Sequence, residues 1–441
     1  MQAGKALKDT LGILGTRVIW SVTGLISGVI LARWLGPTDR GVLAIVLLIP
    51  STVLTLVKLG VSQATVYFIN RKEATVDRVA SNSIMLALAL GAVSSLVVWL
   101  LRDSLLAKVL EHVPAWALVL ALMRVPLLLL DNYLYSILQA TGQFGMYNRR
   151  LLQSEMLRLL LVVVCVMWLH LGFAAAVVIY TFIAVVNIAW LLYSMGQTIT
   201  FSFSLDRDLL GRMLSFGVRS YVQIVVAHLL LRIDIYMVQI YLGPEDVAFY
   251  ALALHFTELV LEVPQAIGLV LYPKLAALPE ERIHQLTAQT CRRTLFVTIP
   301  AAAALALLGP WVITLWYGQP YAPAGAPLPW AAVGVGMMSI FVIITRDFTA
   351  RGKQRVNTTA GLLALVTNVA LNVYLIPRQG IVGASLATAI AYTAACVVLM
   401  IAFVQESGLR WTSLFLPTRD DVEYFSGIVR KAMARVSPRF A

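Results

Sequence analysis

A chain whose apolar residues come in long, unbroken runs has few folds open to it. Twelve such runs are present here, at about 11–34, 42–69, 80–101, 114–140, 151–170, 174–195, 213–242, 246–272, 291–317, 326–350, 358–376 and 381–404. About 20 apolar residues cross a bilayer as a helix, and inside lipid each backbone N–H and C=O must be satisfied within the segment. The sequence therefore predicts an all-α polytopic membrane protein with twelve transmembrane helices. With 60% of the 441 residues hydrophobic and 13% charged, an aqueous fold would have far too much apolar surface to hide. Most breaks between runs carry Gly, Pro or clustered charge. The faintest is at His170 to Gly172, and the clearer break Ile376-Pro377-Arg378-Gln379-Gly380 stands at the equivalent place later in the chain.

That equivalence is part of a repeat. Leu35-Gly36-Pro37-Thr38-Asp39 returns as Leu242-Gly243-Pro244-Glu245-Asp246, 207 residues on. Ala140-Thr141-Gly142-Gln143 returns as Ala350-Arg351-Gly352-Lys353, and Gly172-Phe173-Ala174 as Gly380-Ile381-Val382, at offsets of 210 and 208. Twelve spans then divide into two six-helix bundles. An even number of spans per half makes the halves parallel, related by a pseudo-twofold axis along the membrane normal, an arrangement typical of transporters. The expected division is an N-terminal lobe at 1–200, a C-terminal lobe at 201–405 and a basic tail at 406–441. In the tail, Val422, Phe425, Ile428, Val429 and Val436 recur at roughly helical spacing beside Arg430, Lys431, Arg435 and Arg439. The pattern fits an interfacial helix on anionic lipid, or a frayed basic tail.

The formal net charge is +12, but the basic residues lie in short loops and the tail rather than in a folded basic domain. This is the positive-inside pattern and not a nucleic-acid surface. Arg71, Lys72, Arg78, Arg149, Arg150, Arg207, Arg212, Lys274, Arg282, Arg292, Arg293, Arg351, Lys353 and Arg355 fall on one side, against Arg40, Arg102, Lys108 and Arg378 on the other. Both termini are expected in the cytoplasm, the first run being too long for a cleaved signal. Cys165, Cys291 and Cys396 are too dispersed for a disulfide or metal framework and read as small buried hydrophobes. No phosphate loop, zinc spacing or nucleophile elbow is present, and the short loops leave no room for a catalytic domain. No catalytic residue, metal or cofactor is expected.

Ionisable groups at bilayer depth are costly and tend to face a cavity or each other. Arg17, Lys58, Arg124, Arg219, Arg232 and Arg346 are the cations proposed to line a substrate cavity; Asp131, Asp234, Glu258 and Glu262 are candidates for ion coupling. Arg17, Glu155, Arg346 and Asp347 lie closer to span ends, where snorkelling is the easier explanation. Glu155 and Arg158, three apart, read as a structural pair. In the second run Ser51, Thr55, Lys58, Ser62 and Thr65 recur at helical spacing, and in the eighth His255, Glu258, Glu262 and Gln265 do so. Shifted by 207, Glu258 falls on Ser51, Glu262 on Thr55 and Gln265 on Lys58, so the two stripes occupy matching faces. Ser51, Thr55, Ser62 and Gln265 are accordingly expected to line the cavity; packing seams glued by Ser and Thr are the alternative. Glu258 and Glu262 are close enough to hold one proton between them, unless Lys58 or an arginine of the seventh run neutralises them. Arginine dominates the cations, and its fixed fork suits phosphate or carboxylate, so an anionic substrate is favoured. Pro50, Pro126, Pro264 and Pro300 are potential kinks.

Residues 32–71, from Ala32-Arg33-Trp34-Leu35-Gly36-Pro37-Thr38-Asp39-Arg40-Gly41 through Leu59-Gly60-Val61-Ser62-Gln63-Ala64-Thr65-Val66-Tyr67-Phe68, resemble the opening of bacterial polysaccharide-biosynthesis membrane proteins. These are the Wzx-type oligosaccharide flippases of the multidrug/oligosaccharidyl-lipid/polysaccharide (MOP) superfamily, related to the MATE transporters. Tyr272-Pro273-Lys274-Leu275-Ala276, Gly352 and the Gly380-to-Gly383 stretch resemble later parts of that family, so the likeness covers most of the chain. It implies a flippase in the bacterial cytoplasmic membrane that carries a polyprenyl-diphosphate-linked oligosaccharide to the outer leaflet by alternating access. It further implies proton, sodium or membrane-potential coupling, and other polysaccharide-assembly proteins as potential partners. A cation-coupled multidrug or metabolite antiporter of the same superfamily is the alternative; six intramembrane cations count against it. A membrane glycosyltransferase or polymerase would need a larger outer loop than this chain has.

Overall fold

The computed structural model describes residues 2–197, 199 and 205–436, with side chains at all of these except 2–18, 20, 21, 219, 220, 281 and 428–436. No strand occurs among the described residues. The helices are α1 (Gln2–Val57), α2 (Val61–Asn70), α3 (Val76–Leu101), α4 (Ala107–Leu110), α5 (Ala115–Ala140), α6 (Phe144–Leu161), α7 (Gly172–Gly196) and α8 (Arg207–Tyr241). They continue with α9 (Pro244–Ala276), α10 (Glu280–Tyr317), α11 (Leu328–Ala350), α12 (Gln354–Ser407), α13 (Thr412–Phe415) and α14 (Arg419–Val436). A widened helical segment, Val162–Trp168, prolongs α6.

Ten of the described helical stretches are long and apolar enough to cross a bilayer. Two of these, in α1 and α12, each hold two spans joined at a kink, at Gly36 (φ 76°, ψ 172°) and Gly380 (φ 59°, ψ −143°). The twelve spans of the sequence are therefore all present. The repeat has a backbone cause. Gly36, Gly142 and Gly172 all have positive φ, and so do Gly243, Gly352 and Gly380, their partners at the three offsets. Left-handed backbone is cheap only for glycine, so the echoed glycines mark matching sharp corners in the two halves. The faint break at His170 is real as well: His170 itself is left-handed (φ 50°).

The chain forms two compact units, Met1–Ala251 with Thr314–Tyr321, and Leu252–Ile313 with Ala322–Ala441. In the first, Leu31, Leu43, Val46, Ala117, Ala121, Val162 and Ala176 form a core where α1, α5, the widened segment and α7 meet. Alanine at the contact positions allows close helix approach, as expected where lipid offers no hydrophobic drive between helices. Arg33 caps the end of α10, donating from Nε to the Trp316 carbonyl (2.7 Å) and from Nη2 to that of Leu315 (2.8 Å). These are carbonyls the helix itself leaves without donors.

In the second unit, Leu275, Cys291, Ile343, Phe348, Cys396, Leu399 and Phe403 make the core. Cys291 and Cys396 are free thiols packed as small hydrophobes, as their sequence context implied. The tail is a docked helix rather than a frayed end. Asp421 receives Arg292 Nε (2.7 Å), Arg293 Nε (3.0 Å) and the Thr418 hydroxyl (2.8 Å), while Phe425 stacks on Phe296. Burial opposes the Asp421 charge, but Arg292, the Thr418 N–H and hydroxyl, and Arg293 outweigh it and hold the carboxyl far below its ordinary range. The side chains of Ile428, Val429, Arg430, Lys431, Arg435, Val436 and Arg439 lie outside the described set.

Candidate functional site

The second span does not run as one helix. The Pro37–Val57 part of α1 is by itself about 30 Å long, enough to cross the hydrocarbon. It ends at Lys58, and the chain turns through two left-handed residues, Leu59 (φ 49°) and Gly60 (φ 69°), before α2 begins. The stripe from Ser51 to Thr65 is thus cut at its centre. α9 runs unbroken through Gln265, the position matched to Lys58, so the two halves differ here.

Neighbouring helices make the break possible. A Cβ on Gly60 would lie 2.3 Å from the Gly217 carbonyl oxygen, and one on Gly217 would lie 2.4 Å from that of Leu59. Two glycines therefore let α8 press its backbone against the turn. The carbonyls freed at the helix end are met by tyrosines: Tyr221 donates to the Thr55 carbonyl, and Tyr133 to that of Lys58 (3.1 Å). Deeper along α8, His228 bridges Thr52 (3.1 Å) and Thr55 (3.5 Å), and Tyr236 donates to the Thr52 hydroxyl (2.9 Å). The half-buried Lys58 at the break, with half-buried His228 and Arg232 on α8, makes this a cationic place that can attract an anion. Sequence periodicity found Lys58, Thr55 and Arg232. It missed Tyr133 and Tyr221, because the carbonyls they meet are freed only once the helix breaks, and Tyr236, whose partner Thr52 lies on another helix.

The remaining polar residues of the stripe look inward to protein. Ser51 and Thr55 donate to carbonyls of their own helix, and Ser62 donates to Asn132 Oδ1 (2.7 Å).

A second cluster fills the space between α5, α6 and α7. Asp131 is ion-paired with Arg150, and Glu155 with Arg158. The second pair was expected from spacing. The first was not, since Arg150 was read as a loop residue, whereas it is buried on α6. Glu155 is buried too, so snorkelling does not describe it. Arg124 and Arg158 each place Cζ 5.7 Å from the Tyr180 ring centre. These side chains line a partly open pocket of about 250 Å³.

Asp234, on α8, is fully buried and accepts from the Tyr250 hydroxyl (2.9 Å). In the second unit Glu258 is half-buried on α9, while Glu262 and Gln265 are exposed on the same helix. Arg346 packs over Gly268, where a Cβ would lie 3.0 Å from its Nε. Asp347 does not snorkel: it is fully buried, accepting from Thr287 (2.9 Å) and Arg351 Nε (2.7 Å), with His284 Nδ1 at 3.3 Å. Arg17 and Arg219 have side chains outside the described set. Among the described residues no group of three or more His, Cys, Asp or Glu could hold a metal ion.

A family model described as polysaccharide biosynthesis protein matches residues 30–326. The chain belongs to that family. The probable low-salt glycan biosynthesis flippase Agl15 of Haloferax volcanii is 25% identical over 228 residues, and the match spans 50% of this chain and about half (48%) of the relative. The fold is that of MOP-superfamily transporters. A multidrug resistance MATE family transporter aligns at a TM-score of 0.73 and 17% identity, covering 88% of this chain and 94% of the transporter. The lipid II flippase MurJ aligns at 0.72 and 16%, covering 92% and 91%. The polysaccharide-biosynthesis resemblance read from residues 32–71 thus holds at the level of family and fold, and the protein is a multi-pass membrane protein.

Proposed function

We propose that this protein is a flippase of surface-polysaccharide biosynthesis, turning a polyprenyl-diphosphate-linked oligosaccharide from the cytoplasmic to the outer leaflet by alternating access. The family supports the pathway. The observation that carries the substrate class is the broken second span. Lys58 lies at the end of a segment already long enough to cross the hydrocarbon, at the depth where the headgroup of a lipid-linked substrate would lie, with Arg232 and His228 further in. Interrupted helices are where transporters build binding sites. The positive-inside pattern supports a cytoplasmic position for this end and for both termini. Lys58 and Arg232 would receive the diphosphate first, with Arg17 and Arg219 as further cations of the same unit; Arg346 and Gln265 are proposed as substrate contacts of the other unit. Glu258, Glu262, Asp234 and Asp131 are the carboxylates proposed for proton or sodium coupling.

Cells deleted for this protein provide the test. The proposal expects lipid-linked oligosaccharide to build up in the cytoplasmic leaflet and surface glycan to disappear, both restored by the wild-type chain and not by Lys58→Ala. Normal surface glycan with raised drug sensitivity would instead identify a drug exporter.

A further inference from the structure

We propose that the pocket between α5, α6 and α7 is a binding site for a phosphate group, separate from the Lys58 site and anchored by Arg124. Three arginines and two carboxylates line it: Arg124, Arg150, Arg158, Asp131 and Glu155. The two carboxylates are already taken, Asp131 by Arg150 and Glu155 by Arg158. Among the described residues that line the pocket, one positive charge exceeds the carboxylates, and Arg124 is the arginine with no carboxylate paired to it.

The donors show the same surplus. Arg124 Nε and Nη1, Arg150 Nε and Arg158 Nε are buried and have no hydrogen-bond partner among the described residues. Four guanidinium nitrogens without acceptors, all on side chains lining one pocket, are a large exception to the rule that buried polar groups are paired. An arginine cannot relieve the deficit by losing its proton. Tyr180 contributes its ring face to Arg124 and Arg158, but a ring face has no lone pair to offer those N–H groups. A group carrying several oxygens and negative charge in the pocket would balance the surplus charge next to these nitrogens, and guanidinium forks match phosphate geometry. The pocket, about 250 Å³, lies below the roughly 300–1,000 Å³ of sites that enclose drug-sized ligands. It is large enough to admit a phosphate group.

The ligand chemistry has two sources, free inorganic phosphate or the phosphate of a lipid headgroup. The site rests on the pocket's own geometry, so it stands or falls apart from the flippase reading.

The test uses the full-length protein in detergent, titrated with inorganic phosphate at constant ionic strength and followed by calorimetry and thermal unfolding. Saturable binding is expected for wild type and for Arg78→Gln, a surface control. Arg124→Gln should weaken it roughly tenfold or more, the worth of a charge-assisted hydrogen bond, and Arg124→Lys, which keeps the charge without the fork, should fall between. Competition with a short-chain prenyl diphosphate separates the sources: displacement of phosphate assigns the site to a lipid headgroup, and its failure to displace assigns the site to the free anion. Absence of saturable binding, equal binding by Arg124→Gln, or equal weakening by Arg78→Gln would overturn the proposal.

Discussion

Gly217→Ala should destabilise the protein even though alanine is the better helix former. On propensity alone the exchange gains about 1 kcal/mol within a helix. At Gly217 the new methyl would lie 2.4 Å from the Leu59 carbonyl oxygen, 2.7 Å from the Gly60 carbonyl carbon and 2.8 Å from its oxygen. All three obstacles are backbone, so no side chain can swing aside, and the cost belongs at the upper end of the roughly 1–3 kcal/mol seen for overpacking. The net expectation is a loss of about 2 kcal/mol. Gly211 supplies the control: it is on the same helix α8, and the methyl that alanine would add there meets nothing within 4 Å. Gly211→Ala should therefore be neutral or stabilising by up to about 1 kcal/mol. Both variants can be unfolded by SDS titration from maltoside micelles and followed by tryptophan fluorescence. If Gly217→Ala proves as stable as Gly211→Ala, the close approach of α8 to the broken span is wrong, and the Lys58 site built on it fails as well.

Tyr221→Phe removes the donor to the Thr55 carbonyl and should cost about 1 kcal/mol in the same titration. Transport should suffer more than stability if the broken span serves the substrate. Asp131→Asn leaves buried Arg150 without its partner; it should lower stability by about 3 kcal/mol or less, Asp131 being partly exposed. The double variant Asp131→Asn/Arg150→Gln should recover part of that loss. Asp421→Asn should release α14 from α10 and raise amide exchange over 412–427. Because the folded Asp421 carboxyl lies below its unfolded value, its contribution is fully present above about pH 4. It is lost only as pH falls through the folded value, so the tail should stay docked throughout the neutral range.

Much of the architecture is legible in the sequence because lipid imposes it. Each span needs its own apolar run, and each sharp corner needs a glycine, which is why Gly36, Gly142 and Gly172 reappear at a nearly fixed offset. The break at Lys58 was not legible. Gly60 sits within an apolar run that a continuous helix would also satisfy, and the partner that forces the turn, Gly217, is 157 residues away. Periodicity sorts residues within one helix and says nothing of the next. It therefore joined Ser51 to Thr65 across a turn, and placed Asp131 among the coupling candidates without seeing that Arg150 reaches it. Arg124 and Arg158 were both recognised as intramembrane cations, yet only α7, with Tyr180 between them, brings them into one pocket. Arg346 and Asp347 show the converse: adjacent in sequence and both placed near a span end where snorkelling was the easier explanation, they differ in surroundings, and Asp347 is sealed in with His284, Thr287 and Arg351.

Whether the protein moves a lipid-linked glycan is decided most directly in proteoliposomes. Purified protein is reconstituted with a fluorescent polyprenyl-diphosphate oligosaccharide, and the fraction reached by an impermeant glycan-modifying enzyme is followed over time. The expected result is that wild-type protein exposes the inner-leaflet pool, that Lys58→Ala slows exposure, and that a phosphatidylcholine probe stays put. Equal exposure in protein-free vesicles, or movement of the phosphatidylcholine probe at the same rate, would contradict the assignment.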